Sequence, residues 1–161
     1  MTPFVPNHNI LRKTINKNYE NKIMIEQTIA NWHKHLEGQL DGGLDALLAD
    51  DVVFYSPVVF SPQKGKNITK LYLSAAINTL PGDKDENNQH KFNYTKQVLS
   101  GNQAVLEFET EMEGKFVNGV DIISCNDEGK IIEFRVMIRP LQAVNLLHQQ
   151  MAAMLEKMQG K

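Results

Sequence analysis

The sequence predicts an α+β domain in which helices pack on one face of a curved, mainly antiparallel sheet. Three observations lead to this class. Apolar residues recur at helical spacing in the first half of the chain, four strand-like segments follow residue 91, and an amphipathic segment follows Pro140. Helices that precede a meander of strands, rather than alternating with them, are typical of α+β domains.

Composition indicates one ordinary globular domain. The chain has 161 residues, of which 42% are hydrophobic and 22% charged, and a single core suffices at this length. The formal net charge of −2 gives no electrostatic reason to expect nucleic acid as a partner. Cys125 is the only cysteine in the sequence, which excludes an internal disulfide framework and a multi-cysteine metal site.

The first 22 residues differ from the rest of the chain. They contain five asparagines and four basic residues against one acidic residue, Glu20. We therefore expect residues 1–22 to form a disordered or loosely docked tail, with Met24 as an alternative natural start, and residues 23–161 to form the domain. No apolar run resembles the core of a secretory signal, so the sequence favours a cytoplasmic location and no membrane partner.

Three helices are predicted ahead of the main run of strands. The first is expected from Ile23, because an apolar stripe with spacings of four, three and four follows it: Ile25, Ile29, Trp32, Leu36. A short second helix is expected over residues 44–48. The third covers residues 68–80, since Pro81 and Gly82 would stop it there.

Five segments are predicted as strands. The first covers residues 52–57 and is closed by Pro57. The other four are separated by turn-forming residues and cover 92–99, 104–112, 116–125 and 130–138. Beyond Pro140, apolar residues at helical spacing predict a closing amphipathic helix: Leu141, Val144, Leu147, Met151, Met154, Met158.

Side chains alternate across a strand, so two of these strands divide into an inner and an outer face. The inner faces are expected to hold Leu106, Phe108, Thr110, Met112, Ile132, Phe134, Val136 and Ile138. The outer faces hold an acidic stripe, Glu107, Glu109 and Glu111, and a second stripe, Arg135, Met137 and Arg139. Two interpretations of these stripes are open: they form cross-strand ion pairs, or they are a plain solvated surface. Because Arg and Met are enriched at interfaces, the second stripe is also the predicted homodimer contact.

The strand over residues 116–125 is apolar on both faces. Gly119, Asp121 and Ile123 share one face, while Val120 and Ile122 lie on the other. We therefore expect this strand to be covered on both sides. The helices of the domain would cover one side, and either the last helix or a second subunit would cover the other.

Two stretches of the chain resemble the SnoaL-like, nuclear transport factor 2-like superfamily. The first is Gly38-Gln39-Leu40-Asp41, through Leu47-Leu48-Ala49-Asp50-Asp51-Val52, to Ser56-Pro57. The second is Gly119-Val120-Asp121, through Asp127-Glu128-Gly129-Lys130-Ile131. The resemblance covers roughly residues 25–140. It implies a cone, a strongly bent sheet wrapped round helices with an internal apolar pocket, and a dimer through the outer sheet face as in many members.

Ketosteroid isomerase is the best understood catalyst of that superfamily, and the resemblance allows three of its positions to be compared. Asp121 matches its oxyanion-hole aspartate. Ser56 stands where the family has the general-base aspartate, and Trp32 stands where it has the oxyanion-hole tyrosine. A serine hydroxyl is far too weak a base to remove a proton beside a carbonyl group. We therefore do not expect the ketosteroid isomerase mechanism in this chain.

Asp121 is the candidate catalytic residue. Its neighbours Val120 and Ile122 are apolar, so partial burial is expected to raise the pKa of its carboxyl group and to favour a protonated hydrogen-bond donor. The alternative is that Asp121 only satisfies a buried partner such as Trp32 or Ser56. The residues expected to line the pocket, or else simply to fill the core, are Trp32, Phe54, Ser56, Phe60, Tyr72, Leu106, Phe108, Thr110, Ile123, Phe134, Val136 and Ile138.

No metal site and no cofactor are expected. His33 and His35 are two residues apart, which points them in different directions on a helix, whereas paired helical ligands are three or four apart. Three functions therefore remain open. These are binding of a small apolar or mixed-polarity molecule, a cofactor-independent isomerase, cyclase or hydratase that uses Asp121 as acid or base, and a non-catalytic dimerisation module.

Overall fold

The computed structural model describes residues 8–80 and 91–158, which form four helices and six strands. The helices are α1 (His8–Leu36), α2 (Gly43–Leu47), α3 (Lys66–Thr79) and α4 (Leu141–Met158). The strands are β1 (Leu48–Tyr55), β2 (Gln63–Lys64), β3 (Asn93–Ser100), β4 (Gln103–Met112), β5 (Lys115–Cys125) and β6 (Ile131–Arg139).

All six strands form one mixed sheet in the order β2-β1-β6-β5-β4-β3. β3 to β6 are the predicted antiparallel meander, and β1 joins the free edge of β6 in parallel. The α+β class with a curved sheet is confirmed. The short strand β2 was not predicted, because two residues carry no periodic signal.

The first helix begins earlier than predicted. α1 starts at His8 rather than near Ile23, because residues 8–37 contain neither proline nor glycine to stop it. Lys13 and residues 16–20 of this helix are exposed, and Ile25 is fully buried. Residues 1–7 lie outside the described residues. The prediction that residues 1–22 form a disordered or loosely docked tail is not tested and stays a prediction.

Two side-chain contacts tie α1 to the sheet. Thr28 is buried on α1, and its hydroxyl proton is shared between two carbonyl oxygens, that of Met24 at 2.8 Å and that of Gly129, in the turn between β5 and β6, at 3.0 Å. The ring of Trp32 packs edge-on against Phe134 of β6, with centroids 5.0 Å apart. These contacts hold one face of α1 over the concave side of the sheet. Within residues 8–80 and 91–158, no helix is long and apolar enough to cross a membrane.

The predicted faces of β4 are confirmed. Leu106, Phe108, Thr110 and Met112 are buried, and the intervening glutamates are partly exposed. The β4 glutamates and the β6 arginines are not cross-strand neighbours, because β5 lies between their strands. Asn118 of β5 connects the two instead, since its side chain donates to Glu107 at 3.1 Å and accepts from Arg139 at 2.6 Å.

The outer face of β5 is only half covered in a single chain. Val120 and Ile122 are partly exposed there. The last helix does not cover them, because Leu147 and Met151 of α4 face the cavity on the concave side. The prediction that the last helix covers this outer face is therefore wrong for the described chain. The alternative, that a second subunit covers it, stays a prediction.

Candidate functional site

A cavity of about 560 Å³ lies between the concave face of the sheet and helices α1, α3 and α4. Most of its lining side chains are apolar. The wall is formed by Trp32, Leu36, Phe54, Val58, Leu73, Ala76, Ile77, Leu80, Phe92, Phe108, Phe134, Val136, Ile138, Leu147 and Met151. Its volume lies in the range of small-molecule sites, roughly 300–1,000 Å³.

The polar rim of this cavity is formed by α1 and the segment that leads into β3. His33 and Glu37 come from α1, and Lys91 and Asn93 come from that segment. Glu37, Lys91 and Asn93 are exposed, whereas His33 is half-buried. The ring of His33 meets Tyr94 edge-on, with centroids 5.3 Å apart. The mouth therefore offers both signs of charge, and the interior is apolar except at one place.

That place is a chain of three hydrogen-bonded side chains. The indole Nε1 of Trp32 donates to the phenol oxygen of Tyr94 at 2.9 Å, and the Tyr94 hydroxyl donates to Oδ2 of Asp121 at 2.5 Å. Asp121 is only 5% exposed and lines the cavity. Its Oδ1 has no hydrogen-bond partner among the described residues.

Burial controls the ionisation of both oxygen-bearing groups. Desolvation raises the pKa of Asp121 from 3.8 to about 7, and the hydrogen bond from Tyr94 opposes part of that rise. Desolvation, together with the nearby Asp121 carboxylate, holds the pKa of Tyr94 well above 10. Tyr94 therefore stays a neutral donor at physiological pH, and Asp121 changes its charge close to neutrality.

The position of Asp121 follows from strand register. β5 lies between β4 and β6, and Asp121 is opposite Leu106 of β4 and Val136 of β6. Two residues earlier, Gly119 makes room for the ring of Phe108, because a Cβ at Gly119 would lie 2.3 Å from Phe108 Cζ. The glycine thus lets an aromatic ring lie flat on the sheet next to the carboxyl group.

Part of the predicted pocket lines the observed cavity. Six of its members, together with Asp121, are in the wall: Trp32, Phe54, Phe108, Phe134, Val136, Ile138. Leu106, Thr110 and Ile123 are buried in the core without reaching it. The hydroxyl of Thr110 donates to the carbonyl oxygen of Leu80 at 3.1 Å.

Three further residues predicted to line the pocket do not line the cavity. Tyr72 packs behind its wall against Phe54, with ring centroids 5.6 Å apart. Ser56 accepts a hydrogen bond from the backbone N–H of Val58 at 3.2 Å and so caps the end of β1. The prediction that Phe60 lines the pocket is wrong, because its side chain is fully exposed. Phe60 lies in the loop between β1 and β2, where strand alternation no longer orients side chains.

Tyr94 is the site residue that the sequence analysis missed. Phe92 and Tyr94 alternate with polar Asn93 and Thr95, which was a usable signal for an inner face. The signal is short, because the register of β3 against β4 shifts after Tyr94. The buried partner of Asp121 is therefore Tyr94, and Trp32 reaches the carboxyl group only through it.

The remaining candidate residues form no second reactive cluster. His35 packs on Trp32 with ring centroids 5.8 Å apart, and burial lowers its pKa. Cys125 is fully buried, and burial raises the pKa of its thiol. Over the described ranges, no group of three His, Cys, Asp or Glu side chains is arranged to hold a metal ion.

Solved structures identify the fold. Neither a family model nor a curated protein matches the chain. A steroid delta-isomerase from Pseudomonas aeruginosa is 28% identical, with a TM-score of 0.75 over 86% of this chain and 96% of that chain. An uncharacterised protein with a cystatin-like fold from Silicibacter pomeroyi is also 28% identical, with a TM-score of 0.66 over 78% of this chain and 83% of that chain.

A protein of the SnoaL-like family from Agrobacterium tumefaciens shares the fold at lower identity. It is 15% identical, with a TM-score of 0.53 over 73% of this chain and 99% of that chain. The order of helices and strands, the curved sheet and the cavity on its concave side thus agree with the resemblance found in the sequence. The resemblance of the chain to the SnoaL-like, nuclear transport factor 2-like superfamily is thus confirmed by its similarity to solved structures with this fold.

Proposed function

We propose that this protein binds a small apolar or mixed-polarity molecule in the cavity on the concave side of the sheet. One observation carries the proposal. In an apolar cavity of about 560 Å³, the buried carboxyl group of Asp121 keeps one oxygen without a partner among the described residues. A ligand that fills the cavity covers this oxygen, and a covered polar atom costs free energy unless it is hydrogen-bonded. A ligand that places a polar group at Oδ1 avoids that cost and also gains from burial of its apolar surface.

The first test is whether an apolar probe enters the cavity. Naphthalene is a suitable probe, and its dissociation constant can be measured by equilibrium dialysis. Ala76 of α3 lines the cavity, so Ala76→Phe should fill part of it and weaken naphthalene binding about tenfold or more. Ala30 is exposed on α1, and Ala30→Phe is the matched control. Equal binding by the wild type and Ala76→Phe would exclude this cavity as the site.

The natural ligand can be sought directly. Mass spectrometry of the protein under native conditions, followed by denaturation, would release and identify any small molecule that co-purifies with it. A molecule that is lost from Ala76→Phe and retained by Ala30→Phe would occupy the cavity. A molecule retained by both variants would be bound elsewhere.

Catalysis by Asp121 is the second candidate function, and its pKa favours it. A group with a pKa of about 7 is present in both its acid and its base form near neutrality, as acid–base catalysis requires. The reaction class would be a cofactor-independent isomerisation, cyclisation or hydration. With the identified ligand as substrate, Asp121→Asn should abolish turnover and largely spare binding. Unchanged turnover would remove Asp121 from the mechanism.

A homodimer through the outer sheet face is part of the same proposal, as is a cytoplasmic location. Arg135 and Met137 of β6 lie on that face, where Met137 is 55% exposed. Register places Ile122 of β5, Val105 of β4 and Val98 of β3 in a row beside Arg135. This row forms an apolar strip of the kind that interfaces cover.

Sedimentation velocity tests the dimer. Arg135→Glu combined with Arg139→Glu should convert a dimer to a monomer, because it reverses the charge at two positions of the proposed interface in each subunit and so removes electrostatic complementarity there. Lys22→Glu combined with Lys34→Glu, at exposed positions of α1, makes the same charge change elsewhere. A stable dimer of the β6 variant would place the interface on another surface.

A further inference from the structure

One loop connects the wall of the cavity with an exposed aromatic side chain. Residues 56–62 join β1 to β2, and Pro57 and Val58 of this loop line the cavity. Two residues further along, the side chain of Phe60 is fully exposed. The loop therefore has one end in the cavity wall and an apolar tip in solvent.

Side-chain hydrogen bonds brace this loop on both sides of Phe60. Ahead of it, the hydroxyl of Ser56 accepts a hydrogen bond from the backbone N–H of Val58 at 3.2 Å. After it, Nε2 of Gln63 donates to the carbonyl oxygen of Ser61 at 2.9 Å. A proline also stands on each side of Phe60 within the loop, and proline fixes φ. Because a braced loop has little conformational freedom to lose on docking, Phe60 can act as an anchor.

A second exposed apolar side chain lies at the same end of the sheet. β1 and β6 are parallel neighbours, so the loop that follows β1 and the first turn of α4, which follows β6, lie at one end of the sheet. Leu141 is in that turn and is 74% exposed. We call Phe60 and Leu141 the apolar corner. Exposed apolar residues that are scattered singly need no explanation, whereas large ones gathered at one place indicate a docking surface.

The chain around the apolar corner is basic. Residues 52–66 and 134–155 contain no aspartate or glutamate and four lysines and arginines. Two of these four are ion-paired, whereas Lys64 and Arg139 are exposed and form no ion pair with a described residue. The acidic stripe of β4 is separated from β6 by β5. The corner therefore combines apolar side chains with positive charge, although the formal net charge of the whole chain is −2.

We propose that the apolar corner docks on the surface of an anionic lipid bilayer and that the cavity takes up its apolar ligand there. Phe60 and Leu141 enter the boundary between headgroups and acyl chains, and Lys64 lies beside the anionic headgroups. Exposed apolar side chains flanked by basic ones are typical of surfaces that lie on bilayers. The uptake of the ligand rests on the proposed binding function, and it names the bilayer as the source of that ligand.

Docking at a bilayer surface does not require a long apolar segment. The expectation of no membrane partner came from the lack of such a segment in the sequence, whereas a few exposed apolar and basic side chains suffice for contact with the surface. The cytoplasmic leaflet is the one that carries anionic lipids, so this partner is compatible with the proposed cytoplasmic location.

Co-sedimentation with sucrose-loaded vesicles measures docking without a cavity ligand. The wild type should bind vesicles of equal parts phosphatidylcholine and phosphatidylglycerol, and should bind phosphatidylcholine vesicles about fivefold more weakly. Phe60→Ser should weaken binding to the anionic vesicles about tenfold, because the variant loses the burial of a phenyl ring. Tyr19→Ser is the matched control, since Tyr19 is an exposed aromatic residue of α1.

The charge of the corner is tested in the same assay. Lys64→Glu should weaken binding to the anionic vesicles about tenfold and leave binding to phosphatidylcholine vesicles unchanged. Lys34→Glu, at an exposed position of α1, makes the same change in net charge away from the corner and should have a smaller effect. Lys64 is chosen because Arg139 also belongs to the predicted dimer contact.

Pyrene measures exchange between the cavity and the bilayer. Protein loaded with pyrene is mixed with anionic vesicles that carry a fluorescence quencher, and the rate of quenching gives the rate of transfer. For the wild type this rate should rise with vesicle concentration, because transfer occurs in the docked state. For Phe60→Ser it should be slower and nearly independent of vesicle concentration. The variant should still bind pyrene in water as the wild type does, since Phe60 does not line the cavity.

Equal vesicle binding by the wild type and Phe60→Ser would overturn the docking, as would equal losses in Phe60→Ser and Tyr19→Ser. A lower sedimentation coefficient of Phe60→Ser without vesicles would also overturn it, because the corner would then contact a second copy of the chain. A wild-type transfer rate that does not depend on vesicle concentration would overturn the bilayer as the source of the ligand. Failure of pyrene to bind the wild type in water would instead overturn the proposed binding function, and co-sedimentation would still decide the docking.

Discussion

Asp121 should make the stability of this protein depend on pH with an unusual sign. Desolvation raises its pKa from 3.8 to about 7 in the folded protein. Between these values the unfolded chain has lost the proton that the folded protein keeps, so the folded state binds more protons. Its stability from this group is fully present below pH 3.8 and falls as the pH rises to about 7. An ion-paired aspartate behaves in the opposite way.

The size of the effect follows from the two pKa values. Each pKa unit corresponds to about 1.4 kcal/mol, so the complete change is roughly 4 kcal/mol. An asparagine in place of Asp121 would have nearly the same shape and no charge. Asp121→Asn should therefore resemble the wild type in acid and become the more stable protein in base. Between pH 4.5 and 8.5 the difference in the free energy of unfolding should change by about 3 kcal/mol in favour of the variant.

Urea unfolding at several pH values measures this difference, with the fluorescence of buried Trp32, the only tryptophan in the sequence, as the signal. Asp50→Asn is a control of opposite sign. Lys66, whose Nζ lies 2.7 Å from the carboxylate of Asp50, holds the pKa of Asp50 below its ordinary value. That variant should lose stability relative to wild type as the pH rises. If the difference for Asp121→Asn is constant from pH 4.5 to 8.5, then Asp121 is not desolvated as argued.

Three further substitutions test the packing around the site. Gly119→Ala places a Cβ 2.3 Å from Phe108 Cζ and 2.8 Å from the Met137 carbonyl oxygen; thermal unfolding should show a loss of roughly 1–3 kcal/mol, and an unchanged midpoint would show that the ring moves freely. Thr69→Val removes a fully buried hydroxyl with no hydrogen-bond partner in the described chain; it should stabilise the protein by about 1 kcal/mol, and destabilisation would reveal a partner. Phe60→Ser should change neither stability by more than about 0.5 kcal/mol nor naphthalene binding, since Phe60 is fully exposed; weaker binding would return it to the cavity wall.

Local patterns predicted most of the secondary structure. Alternation in β4 and helical spacing in α3 and α4 marked elements whose observed bounds lie within a few residues of the prediction. The start of α1 was missed because the sequence ahead of Ile23 shows no apolar stripe at helical spacing. The parallel pairing of β1 with β6 was not visible either, because strand pairing depends on which edge remains free after the meander has formed.

Local sequence likewise predicted some residues of the candidate site and misplaced or missed others. Asp121 was found from its apolar neighbours and its place in a strand, which are properties of a few adjacent residues. Phe60 was misplaced because a loop residue has no periodicity that fixes its direction. Tyr94 was missed because its role comes from a hydroxyl that meets Asp121 across 27 residues of sequence.

The sequence by itself determined the class of fold, the superfamily resemblance and the candidate carboxyl group of Asp121, because periodicity and short motifs are local. Only the tertiary structure decided that this carboxyl group shares a hydrogen-bond chain with Tyr94 and Trp32 and that a cavity remains in front of it. The physical reason is that the pKa of Asp121 and the direction of its hydrogen bonds depend on desolvation and on distances of a few ångströms. The strands and helices bring these groups together only when they pack.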